Sequence, residues 1–187
     1  TSIAGGSSSS SALGGDIRTG STQEAPAWNR AELLTYIASL RATEPTGAQF
    51  LAELIEATPL PAGWALSYDS QGHAFYRQEG TDVRAGDHPL ESAVREIADV
   101  FNQCSALAAG QRESYLAALT KTWEDDLASS LDAWTAVKGA GGRTLYSRGG
   151  SGEMLSKSPM EAHAPAHNMK LAAARKLLEA ERAAEAK

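Results

Sequence analysis

Of 187 residues, one is cysteine, so an internal disulfide and any multi-cysteine metal site are excluded at once. Valine and isoleucine together number nine, too few for an extensive β-sheet. Aromatic residues make up 6% of the chain. No apolar run approaches the ~20 residues that a membrane-spanning helix needs. Basic residues are outnumbered, 17 Lys and Arg against 23 Asp and Glu, for a net charge of −6. That balance gives no support for nucleic acid or an anionic membrane surface as the main partner.

What is present is alanine, 35 residues of it, with larger apolar side chains spread in small clusters. This points to small packed modules on a helical frame rather than one broad core. The chain opens on Thr1 rather than Met, which we read as a fragment or a processed form. Residues 1–27 are rich in Gly, Ser and Thr and cannot bury enough apolar surface to offset their ordering entropy, so a flexible tail is expected there.

Asn29 followed by Glu32 resembles a capping box, and Leu33, Leu34, Ile37 and Leu40 mark one helical face. Phe50, Leu51, Leu54 and Ile55 mark a second short helix, giving a helical pair over 28–58. Helical spacing returns in Val94, Ile97, Phe101 and Cys104. After an interruption at Gly110 it returns again in Tyr115, Leu116, Leu119, Trp123 and Leu127. Residues 92–130 therefore read as a helical linker. The Ala-rich segment 166–187, with Asn168 as its cap, reads as a C-terminal helix. Its narrow stripe of Leu171, Ala174 and Leu178 suits either docking on a partner or a solvated end. Removal of either end is expected to leave the modules folded.

The most informative pattern is an internal repeat. Trp64, Gly72, Tyr76, Gly80, Pro89 and Glu91 recur 70 residues later as Trp134, Gly142, Tyr146, Gly150, Pro159 and Glu161. Between these landmarks helical periodicity gives way to short aromatic segments split by glycine, which read as strands and hairpins. The fold class expected is α+β, mainly helical, with two three-stranded antiparallel sheets joined by helices.

Leu60-Pro-Ala-Gly-Trp64, Asp69-Ser-Gln-Gly72, Phe75-Tyr76 and Pro89 resemble a WW domain, a small three-stranded sheet that commonly binds Pro-rich peptides. The resemblance implies one module over 59–91 and a weaker second copy over 131–161. It implies a structural core of Trp64, Tyr76 and Pro89 in the first and of Trp134, Tyr146 and Pro159 in the second. The family's ligand groove also uses a second Trp, whose place is taken by Gly86 and Ser156, and an aromatic that survives as Phe75 but is Leu145 in the second copy. A polyproline ligand lies between such aromatic walls, so a residual groove is implied at Phe75 alone. Residues 30–103, with Glu44-Pro45, Phe50-Leu-Ala-Glu-Leu and Asp87-His-Pro-Leu90, are similar to the N-terminal helix–WW module of a centriolar distal-appendage and ciliary protein family. That resemblance implies a scaffold in cytoplasm and cytoskeleton, at a cilium, flagellum or centriole, with tubulin or axonemal proteins as partners.

Other chemistry is thinly supported. His163 and His167 have helical metal-pair spacing, but Pro165 lies between them and no third ligand is near in sequence. Gly139-Ala-Gly-Gly142 and Gly149-Gly-Ser-Gly152 lack the Lys-Ser/Thr of a phosphate loop. Glu124-Asp125-Asp126 reads as a solvated face, Cys104 as a packed thiol, and His88 as part of the turn that closes the first module. No nucleophile–base arrangement emerges. The expectation is a non-enzymatic structural protein with no catalytic residues, cofactor or metal. The competing reading is an adaptor that binds Pro-rich or phosphorylated segments. A subunit of an organellar complex, imported through a transit peptide, is a third class.

Overall fold

The computed structural model describes residues 30–39 and 45–186. The Gly/Ser-rich tail and the Asn29 cap lie outside these residues. Helix α1 (Arg30–Ser39) and α2 (Pro45–Ala57) precede a three-stranded antiparallel sheet, β1 (Trp64–Tyr68), β2 (Ala74–Gln78) and β3 (Arg84–Ala85). Helices α3 (Glu91–Ala106) and α4 (Ala109–Asp132) follow. A second sheet, β4 (Trp134–Lys138), β5 (Thr144–Arg148) and β6 (Met154–Leu155), then leads into α5 (Pro159–Glu185). The fold class is α+β and mainly helical, as the sequence pattern predicts.

The 70-residue repeat is carried through to the pairing register. Leu66 pairs with Tyr76 and Tyr76 with Ala85; Ala136 pairs with Tyr146 and Tyr146 with Leu155. Gly72 and Gly142 both take positive φ in the first hairpin, at 84° and 75°, where a side chain would be strained. Asp69 Oδ1 accepts the amides of Gln71 and His73 and so closes the first turn. In the second copy the same turn is a three-residue 3₁₀ segment, Ala140–Gly142.

Two apolar clusters hold the helices. The first gathers Ile37, Leu51, Ile55, Leu90, Val94, Ile97 and Met169. The second gathers Val100, Cys104, Leu116, Trp123 and Ala174. Segment 92–130 is thus no mere linker, because α3 supplies both clusters and α4 the second. The break between α3 and α4 falls at Leu107-Ala108, and Gly110 lies inside α4. Trp123 is buried, donates Nε1–H to Glu96 Oε1 at 2.6 Å, and has Lys170 Nζ 5.7 Å from its ring centroid.

The last helix departs most from the sequence reading. It begins at Pro159, capped by Ser158, whose Oγ accepts the amide of Met160 while Glu161 reaches back to the Ser158 amide. Asn168 lies well inside it. Pro165, which suggests a boundary, sits in the helix interior. Proline has no N–H to give the carbonyl four residues earlier, and that carbonyl, of Glu161, accepts Ala62 N–H from the first module at 3.0 Å. The bond removed by proline is replaced by one from elsewhere in the chain. Met169, Ala173 and Ala174 bury this helix against α2, α3 and α4. It is neither a solvated end nor a free docking strip, and its removal would open both clusters.

Candidate functional site

Residues paired across strands share a face. One face of the first sheet therefore carries Trp64, Leu66, Tyr76 and Ala85, and the other carries Ala65, Ser67, Phe75, Arg77 and Arg84. Tyr76 is buried, while Trp64 and Pro89 are half-buried. In the second sheet Trp134, Ala136, Tyr146 and Leu155 share one face. There Pro159 and Leu155 are buried and Trp134 and Tyr146 half-buried. Within each repeat the register sets Trp and Tyr on a common face, and the proline follows at the start of the next helix.

Each sheet is fastened to the helical frame through a histidine. The ring of His88 meets Tyr76 edge-on, with centroids 5.0 Å apart, and His88 Nδ1 accepts the amide of Leu90 at 3.1 Å. Burial pushes the His88 pKa down to about 4, against a smaller opposing pull from Glu91, so the ring is neutral at pH 7. Ser158 is the counterpart of His88 in the repeat and makes the equivalent bond to Met160. In the second module Trp134 Nε1–H donates to His163 Nε2 at 2.9 Å. Burial also lowers the His163 pKa, with Arg148 adding to the effect and Glu153 opposing it.

The outer face of the first sheet is the candidate binding surface. Phe75 is half-buried there, and the Arg84 guanidinium lies 5.0 Å from its ring centroid. Arg77 is exposed on the same face. No second aromatic stands opposite Phe75 at Gly86, which is open to solvent. In the second module Leu145 leans on Gly139, where an added Cβ would lie 2.8 Å from Leu145 Cδ1. Gly139 is thus a packing position within a hairpin, not part of a phosphate loop.

The two sheets touch. Gln78 Nε2 donates to Glu153 Oε1, Ser156 Oγ donates to Glu79 Oε1 at 2.9 Å, and Leu155 lies against the backbone of Gly63. Sequence reading leaves this contact open, because nothing in either copy alone marks its partner.

The remaining sequence candidates fall as follows. Glu124, Asp125 and Asp126 are exposed, with Asp125 bound to Lys121 at 2.9 Å. Cys104 is buried, and burial raises its thiol pKa. His163 is engaged by Trp134, and no cluster of three or more His, Cys, Asp or Glu that could hold a metal occurs among the described residues. No helix among them is long and apolar enough to cross a membrane. Comparison of the chain with protein-family models, curated proteins and solved structures finds no match.

Proposed function

We propose that the chain is a non-enzymatic scaffold component in which two WW-like modules are locked onto one helical frame and hold fixed positions in a larger protein assembly. The supporting observation is how the positions shared by the two copies of the repeat are used. Tyr76 is buried against His88, Trp134 is bonded to His163 of α5, and the sheets are bonded to each other. Such an arrangement favours rigidity over the open aromatic groove of a peptide receptor. The resemblance of residues 30–103 to a centriolar and ciliary module directs the proposal to a cytoskeletal assembly in the cytoplasm, with tubulin or axonemal proteins as neighbours.

The second reading is a peptide adaptor, favoured by the Phe75–Arg84 pair on an outward face. An aromatic beside a cation suits a Pro-rich or phosphorylated segment. Cross-linking in cells followed by mass spectrometry separates the two. Links from the helical faces to tubulin or axonemal proteins support the scaffold. Links concentrated near Phe75 and leading to Pro-rich proteins overturn it in favour of the adaptor.

A further inference from the structure

A cavity of about 290 Å³ opens where the start of α2, the end of α3, the start of α4 and the last turns of α5 meet. Phe50, Phe101, Leu116 and Leu177 form its apolar wall, and Arg112, Lys176 and Glu181 line the rest. Phe50 and Phe101 stand 5.9 Å apart with their rings inclined at 56°. One acid lines it, Glu181, whose side chain is 9% exposed. Its Oε2 accepts Arg112 Nη1 at 3.0 Å, while its Oε1 is buried without a hydrogen-bond partner. A buried carboxylate oxygen left unsatisfied costs more than an ordinary hydrogen bond returns, so the place favours an arriving N–H or O–H donor.

The chain itself shows what such a donor looks like. At Trp123 an indole lies buried between α3, α4 and α5, its N–H bonded to the Glu96 carboxylate, and that carboxylate is also paired with Lys170, whose Nζ lies near the indole ring. The cavity repeats these parts without the ring. Glu181 is the carboxylate, Arg112 is its paired cation, and Lys176 Nζ stands 5.9 Å from the Phe50 centroid. With two cations against one anion, a positively charged donor is disfavoured and a neutral one suits the site. The indole of tryptophan is neutral, flat, apolar and donor-only.

We infer that this cavity receives a tryptophan side chain from a partner protein, with its indole N–H on Glu181 and its ring against Phe50, Phe101 and Leu177. The inference deepens the scaffold reading by naming the chemistry that a neighbour would present. Trp64, Trp123 and Trp134 are placed elsewhere in the fold, and Trp28 lies outside the described residues.

The test is a titration of the full chain with N-acetyl-tryptophanamide, read by the methyl NMR signals of Leu116 and Leu177. Saturable shifts at both are expected. Methylation of the probe's indole nitrogen should weaken binding about tenfold or more. The substitution Glu181→Leu should weaken the parent probe to the level of the methylated one. If that variant does not fold, the two probes on the unaltered chain still decide. Equal affinity of the two probes, or shifts absent from the cavity, would overturn the inference. Binding that emerges only after Trp28→Phe would also overturn it, by showing that the chain fills its own cavity. Binding is read here on the isolated chain, so its failure leaves the scaffold reading standing. Cross-linking can fail without touching this result.

Discussion

The indole N–H of Trp134 donates a hydrogen bond to His163 Nε2, and this bond fixes the second sheet to α5. An imidazole can accept there only while Nε2 is unprotonated. The His163 pKa is lowered in the fold, so the unfolded chain binds the extra proton first as pH falls. The stability supplied by this bond is present above the ordinary histidine range and is lost progressively below it. Acidification should broaden or shift the Trp134 indole N–H resonance before the rest of the second sheet changes. His163→Gln keeps an acceptor that does not titrate, and should remove that early change. An indole signal in the unaltered chain that holds steady down to the acid unfolding transition would contradict this account.

His88 makes the same argument for the first module, with a magnitude attached. Its pKa falls from the usual 6.5 to about 4 on folding. Between these values the unfolded state carries the additional proton, so stability declines as pH drops through the window. The decline amounts to about 3 kcal/mol for a shift of this size. Asparagine at this position retains a side-chain acceptor for the Leu90 amide without titrating. Urea unfolding of His88→Asn should therefore show a smaller loss of midpoint between pH 7 and pH 4.5 than the unaltered chain.

Pro165→Ala tests the exchange of hydrogen bonds between α5 and the first module. Alanine restores an N–H that competes for the Glu161 carbonyl, now occupied by Ala62. The helix gains propensity, while the Ala62 amide loses part of its acceptor. Hydrogen exchange should speed up at Ala62 and slow down within α5. Unchanged exchange at Ala62 would show that the inter-segment bond contributes nothing measurable.

Gly63 takes a φ of 89°, and an added Cβ would lie 2.5 Å from Leu155 Cδ2 of the other sheet. Gly63→Ala should cost about 2–3 kcal/mol, combining the backbone strain of a left-handed alanine with overpacking of a buried leucine. Adding Leu155→Ala relieves the second part only. In a double-mutant cycle the two changes should therefore cost less together than their sum. Strict additivity would place the two sheets further apart than the structure does.

The repeat shows how far the sequence could be read. Tryptophan, tyrosine, glycine and proline at a constant offset carry the strand order and register, because each has a conformational or packing role that few other residues fill. Helical spacing likewise marks Val94, Ile97, Leu116 and Trp123, which the structure buries. What escaped was set by distant neighbours. Pro165 reads locally as a breaker, and only the Ala62 amide, about a hundred residues away, makes it tolerable. The alanines of α5 look too small to support docking, yet their size lets the helix approach α3 and α4. His88 and Ser158 sit at equivalent positions and do equivalent work, which a search for identical residues passes over. Glu181 lies on an ordinary-looking charged helix, and nothing in its local sequence signals that one oxygen is buried without a hydrogen-bond partner.

The bond from Ala62 to the Glu161 carbonyl carries a consequence for synthesis. A ribosome delivers the first module, α3 and α4 long before the segment that holds their exposed apolar sides. Met169 completes the cluster begun at Ile37, and Ala174 the one begun at Val100. The first half of the chain must therefore wait, partly assembled, for the last described helix to emerge. Completion of both clusters is tied to delivery of α5, and a chain interrupted before it would present unfinished surfaces to quality control.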